Sequence, residues 1–505
     1  MLTALALSAG LIAAVPAQAA PAPPSPGDPG LGDRLFPELG NGGYDTRHYD
    51  LSMSYATAEA ETSVDGEVDI RARAEQSLSS FNLDFDGDSV EGVWVNGRRA
   101  EWTLAGEELV VTPRRALRRH QRFSVSVDFT GDPVMPTDDL PFGWFTTLDG
   151  SVTAGQPDRS HEIFPSNDHP SDKATYSFRL EVPEGVTAVA NGTFTGSRTR
   201  AGRTSWRYEL RQPMATQLVQ LAVGDLDVIE RGRRRGVHLR DVVPSQREPW
   251  LDEALARTPD HLDWMTDQVG RYPFDEYGIL AADQIFNYAL ETQTLSLHPT
   301  FLFNPGEGFT PDVYEPIMVH ELAHQWFGDS VAVRYWSDIW LSEGHATWYE
   351  WNYADEFYGV DFTERMRAAY AQGDTLRAQY GPVALPSSNE LFDLFSANVY
   401  DGGALVLYAL RQVIGDETFQ RLERRWAQEF AGESADTEDF IAFASKVSHR
   451  DLRGFLRRWL YGTTTPPMPG HPDWTVDPVA APAPQAKSSS GALDAERGAL
   501  KTFRR

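Results

Sequence analysis

Residues 320–324 read HELAH, two histidines four positions apart with a glutamate beside the first. Residues four apart share one face of a helix, so His320 and His324 can aim imidazole nitrogens at one ion, and Glu321 can reach a water held there. A catalytic zinc usually takes three protein ligands and keeps a fourth position for water. Glu343 can supply the third: it falls in SDIWLSEGHATWYEW, whose Trp and Ile spacing predicts a second helix after enough chain to turn and return alongside the first. Two incidental histidines on a surface helix are the plain alternative. With 12 His in 505 residues, HExxH arises by chance in only roughly a few per cent of such chains.

Composition narrows the remaining chemistry. The chain has no cysteine, so a disulfide framework, a thiolate metal site and a thiol nucleophile are all excluded, and any metal must be held by His, Asp or Glu. A formal charge of -28 repels phosphate backbones and anionic lipid heads, which argues against nucleic acid as a partner. Hydrophobic residues at 41%, with 14 Trp, 18 Tyr and 26 Phe, are what a folded chain of two or three domains needs.

Positioning such residues takes more than one helix, and the chain divides accordingly. Residues 1–19 carry an apolar run over 2–15 and a small-residue Ala-Gln-Ala site, the pattern of a secretory signal peptide, so a secreted protein is expected. The run is short for a membrane anchor, and no later stretch approaches the roughly 20 apolar residues that span a bilayer. Residues 20–44 read as a Pro-rich linker. Residues 45–243 show short period-two segments such as EVDIRARA, RFSVSVDF and TYSFRLEV, which predict an antiparallel β-domain. Asn191 opens an Asn-Gly-Thr sequon by pattern, but it stands between two such segments, where a turn is expected. From about 244 the texture turns helical, as in WLDEALARTPDHLDWMTDQVG, and a mainly helical domain is expected to 465. Residues 466–505 are Pro-, Ala- and Ser-rich and read as a tail, disordered at its end.

HELAHQWFGDSV with WLSEG resembles the zinc-binding core of the aminopeptidase N family of gluzincin metallopeptidases. YALETQT at 288–294 is similar to the family's exopeptidase motif, NVYDGGALVLYALR to the segment carrying its catalytic tyrosine, FPSNDHPSDKATYSF to its β-domain signature, and GRYPFDEYG to the start of its catalytic domain. The resemblance covers about residues 45–465. It implies an α+β multidomain chain, an N-terminal β-domain followed by a thermolysin-like helical catalytic domain. It implies one zinc per chain on His320, His324 and Glu343, Glu321 as general base, and Tyr400 as the family's tyrosine. Glu291 would bind the substrate's free amine, Ala289 would line the substrate, and Gln156, or Asp158 after a small shift, would join them from the β-domain. Tyr288 and Thr292 depart from the usual motif, where Gly and often Asn stand. The chain also ends before the family's large C-terminal helical domain, which implies a more open cleft.

The chemistry implied is hydrolysis of a peptide bond with Glu321 moving the proton, in peptides with a free N-terminus. Two rivals stand beside the aminopeptidase: a zinc endopeptidase with an open cleft, and a non-catalytic peptide-binding relative. Oligomeric state and the preferred N-terminal residue are not legible.

Overall fold

The structure, a computed structural model, describes residues 23–57, 63–134, 142–283 and 288–479. The signal-peptide reading of 1–19 and the end of the tail lie outside the described residues. An N-terminal, sheet-rich domain precedes a helical one.

The alternation in the sequence becomes an eight-stranded sheet. In Tyr44–Tyr55, the side chains of Tyr49, Leu51, Met53 and Tyr55 are buried while Asp50, Ser52 and Ser54 are half-exposed between them, as a period of two requires. The next strand, Val64–Ala74, pairs with it antiparallel and turns Val64, Val68, Ile70, Ala72 and Ala74 inward. Within this sheet one described pair departs from the expected antiparallel pattern: Ala174–Pro183 runs parallel to Tyr44–Tyr55. A second, four-stranded sheet includes Gly150–Ala154 and Thr187–Ala190.

Packing and pairing revise three of these readings. The segment 20–44 is no free linker over its described part. Ser25–Pro26 pairs with Leu78–Asp84, and Leu35, Phe36 and Leu39 are buried in the core of the helical domain. Each such side chain contributes about 1.5–3 kcal/mol on burial, which draws the strap onto the helical domain. Proline content hid these three apolar residues. Asp33 fastens the same strap, accepting from the Trp336 amide at 2.7 Å and lying 3.5 Å from His169 Nε2 of the β-domain.

The boundary at 243/244 cuts through a sheet. The hairpin Leu226–Arg234 and Val237–Pro244, expected with the first domain, pairs onward in parallel with Ile279–Ala282 and Ser296–Pro299. Local alternation reports that a segment is a strand, and partner choice is a property of the assembled sheet. At the other end, residues 466–479 begin as a docked segment: Met468 and Trp474 are buried, and Trp474 stacks on Tyr408 with ring centroids 5.8 Å apart.

The helical domain brings three helices together around the HELAH segment. Pro311–His324 starts with Pro in its first turn, where the missing N–H costs nothing, and its last seven residues are buried all round. Trp340–Tyr358 packs beside it and stops at Gly359 in a left-handed conformation. Ala397–Ile414 crosses that second helix at a glycine pair. A Cβ built on Gly344 would lie 2.9 Å from the Gly403 backbone, and one on Gly403 would lie 2.8 Å from Gly344 Cα. Neither backbone can yield as a side-chain end could, so Gly344→Ala is expected to cost about 1–3 kcal/mol. Denaturant unfolding measures it, and an unchanged midpoint would show that the crossing has slack.

Candidate active site

The helix Pro311–His324 presents His320, Glu321 and His324 on its buried last turn. The helix Trp340–Tyr358 presents Glu343, and the donor atoms of His320, His324 and Glu343 all lie within 4.8 Å of one another. Glu343 Oε2 is 3.3 Å from His320 Nε2 and 3.4 Å from His324 Nε2. Those separations match neighbouring corners of a tetrahedron with arms of about 2.0–2.1 Å, the lengths zinc prefers to nitrogen and carboxylate oxygen. Both imidazoles are held by their other nitrogen: His320 Nδ1 faces Glu350 Oε2 at 2.9 Å, and His324 Nδ1 faces Ser342 Oγ at 2.8 Å. This outer anchoring fixes the ring orientation, as is usual for metal-binding histidines. The donor set therefore fits zinc.

The acids around it are buried. Burial pushes the Glu321 carboxyl up to about 8, with Glu291 and Glu343 adding to the push and both histidines opposing it. Burial also raises Glu291. Glu343 behaves oppositely: burial would raise it, but His324 and His320 outweigh that and hold it down at about 2.

Glu291, Glu321 and His324 form a second close group, again with donor atoms within 4.8 Å. Glu291 sits on a loop whose Leu290 and Leu295, with Leu297 of the strand that follows, are buried in the core of the β-domain. That packing explains how a residue of the catalytic half meets one of the other domain: Gln156 Nε2 donates to Glu291 Oε1 at 2.8 Å. Gln156 is buried, whereas Asp158 is half-buried and 3.6 Å from Arg159, so of the two expected candidates the structure brings Gln156 to the site. Ala289 is half-buried two positions before Glu291. Tyr288 turns its ring onto Phe142 of the β-domain, centroids 4.5 Å apart. Tyr400 lies half-buried with its ring parallel to that of His320, centroids 5.9 Å apart, placed there by the Gly344–Gly403 crossing.

Sequence reasoning missed four residues that hold the site. Glu350 carried a usable signal, since it falls seven positions after Glu343 and so on the same helix face. Ser342, Gln325 and Asn191 carried none. Asn191 is wholly buried, its Nδ2 donating to Leu218 and Gln293 carbonyls, which excludes the sequon reading in the folded protein and fits the turn between strands. His345, the further histidine of the second helix, is a core residue stacked on Phe327.

The Peptidase M1 N-terminal domain matches residues 45–218 and the Peptidase family M1 domain matches residues 253–459. The M1 zinc metallopeptidase from Deinococcus radiodurans superposes with a TM-score of 0.78 at 30% identity, covering 87% of this chain and 99% of that one. The chain belongs to peptidase family M1. A mutant of the Deinococcus enzyme bound to a Tyr-Ser-Ala substrate superposes with a TM-score of 0.76 at 30% identity, covering 88% of this chain and all of that one. Among curated M1 relatives, Aminopeptidase M1-D of Oryza sativa subsp. japonica is 26% identical over 62% of this chain, and the match takes in 37% of its own length. The Xenopus laevis Leukotriene A-4 hydrolase is 26% identical over 80% of this chain and 69% of its own. No described helix is long and apolar enough to cross a membrane.

Proposed function

We propose that this M1 family member is a secreted zinc aminopeptidase, binding one zinc per chain and removing N-terminal residues from peptides. One observation carries the reading: the buried Glu291 carboxylate, held by Gln156, stands beside Glu321 and the two-histidine, one-glutamate group. A buried carboxylate there binds the α-ammonium of a peptide by a charge-assisted hydrogen bond and sets the first peptide bond against the metal centre. Export is supported by the apolar run and Ala-Gln-Ala site of residues 1–19.

His320 Nε2, His324 Nε2 and Glu343 would hold the zinc. When bound, zinc supplies Lewis acidity, which lowers the pKa of a coordinated water from 15.7 to about 7. A cation held by these three residues would favour the ionised form of Glu321 over the acid form that burial promotes; the Glu321 carboxylate then accepts a proton from the attacking water and delivers it to the departing amine nitrogen as the peptide C–N bond breaks. The products are a free amino acid and a peptide one residue shorter. The Tyr400 hydroxyl donates to the oxyanion that forms on the former carbonyl oxygen, a contact worth roughly 3–4 kcal/mol of barrier.

Aminoacyl anilides assayed with and without a zinc chelator test the reading. Hydrolysis is expected, lost with chelator and restored by zinc. Metal analysis of Glu343→Ala provides the companion result: bound zinc is expected to fall from near one per chain to near zero, because two imidazoles alone leave the site a ligand short. Full zinc in that variant would remove Glu343 from the site.

A further inference from the structure

The loop that carries Glu291 is gripped at neighbouring residues from two sides. From the histidine helix comes Gln325, which directly follows His324 and is 0% exposed. Its Nε2 donates to the Glu291 carbonyl at 3.0 Å, while its Oε1 accepts from the Thr294 amide at 2.9 Å and the Tyr272 hydroxyl at 3.0 Å. From the β-domain comes Asn191, whose Nδ2 donates to the Gln293 carbonyl at 2.7 Å and whose Oδ1 accepts from the Gln220 amide at 2.6 Å. The next amide, that of Gly192, donates to Thr294 Oγ1 at 2.8 Å.

Between these grips the backbone is strained. Thr294 has φ 71°, a left-handed conformation that a β-branched residue adopts only at a cost. Such a conformation persists where its surroundings over-determine it, and here both the amide and the hydroxyl of Thr294 are tied. The strain fixes the course of residues 290–295, whose one carboxylate is that of Glu291.

The consequence is a fixed length. Gln325 is joined through the backbone to His324, so its two bonds to the loop transmit the position of the metal-binding histidine to the residue that meets the substrate ammonium. An extended peptide advances about 3.3–3.6 Å per residue. A drift of Glu291 by that distance would bring the second peptide bond, rather than the first, to the metal centre. We infer that Gln325 and Asn191 are positioning residues that hold the Glu291 carboxylate at a set distance from the His320, His324 and Glu343 group, and so limit release to one residue per cleavage. The inference rests on the aminopeptidase reading above.

The test uses Gln325→Met, which keeps length and bulk but no hydrogen-bonding group, and Asn191→Asp, which keeps the Oδ1 acceptor and loses both Nδ2 donations. The full chain is assayed on a free-amine hexapeptide and its N-acetylated counterpart, with first products identified by mass spectrometry, zinc content measured, and binding of L-arginine followed by calorimetry. Both variants are expected to keep their zinc. The free-amine kcat/KM should fall at least about 10- to 100-fold, the scale that a misplacement of only ~1 Å already produces, largely through KM, with weaker L-arginine binding and little change on the acetylated peptide; dipeptides should join the first products as the released loop samples the about 3.3–3.6 Å of one residue's advance. A merely structural role would lower the active fraction without altering the free-amine preference or the product length. Zinc-loaded variants that keep both overturn the inference. Should Gln325→Met fail to load zinc, Asn191→Asp decides alone, since its lost partners are Leu218 and Gln293. A wild type with no free-amine preference overturns the aminopeptidase reading itself, whereas a wild type that has it beside variants that retain it overturns only this inference.

Discussion

Glu321→Gln is expected to retain zinc and lose about 10²- to 10⁴-fold in kcat. The substitution preserves shape and burial, and the three zinc donors His320, His324 and Glu343 are untouched. It removes the one group placed to carry a proton from the attacking water to the leaving nitrogen. An amide cannot accept that proton at neutral pH, so the loss falls on the chemical step and KM should change little. Metal analysis beside steady-state kinetics separates the two effects. Near-normal kcat with full zinc would hand the general-base role to another residue.

The second large effect concerns the substrate's own charge. N-acetylation of a peptide replaces its ammonium with a neutral amide, leaving the buried Glu291 carboxylate without a cation and the scissile bond without its anchor. Losing a desolvated charge pair costs roughly 2 to 5 kcal/mol, or about 30-fold to several thousand-fold in kcat/KM. Glu291→Ala should produce a comparable loss on free-amine peptides and barely alter any residual cleavage of acetylated ones, because the pair is absent in both cases. Gln156, which donates to Glu291 Oε1 at 2.8 Å, should show a smaller loss of the same kind when replaced. Equal cleavage of acetylated and free peptides by the wild type, at internal bonds, would make the endopeptidase alternative the better account.

These effects come from one arrangement, in which a rigid helix pair holds the metal ligands and a loop packed into the other domain holds the amine partner. The helix pair was legible in the sequence, because histidines at i and i+4 share one helical face and the Trp and Ile spacing around Glu343 has a helical period. The loop was legible only by resemblance, since a single glutamate in YALETQT has no period to report its neighbours.

What the sequence by itself determined was therefore local chemistry and local structure. It determined the ligand types, with cysteine absent, the helical face shared by His320 and His324, the alternation of Tyr44–Tyr55 and Val64–Ala74, and the helical texture after about residue 244. The first follows from composition, and the others from periods of 3.6 or 2 that a short window contains. The tertiary structure alone decided the long-range partners: that Gln156 rather than Asp158 meets Glu291, that Asn191 is a buried clamp, that a Pro-rich strap buries Leu35, Phe36 and Leu39 in the other domain, and that the sheet crosses the expected boundary. Such pairings join residues that are up to hundreds of positions apart, and they are selected by the shape and polarity of surfaces that exist only once the chain has folded. No short window of sequence contains both sides of such a contact.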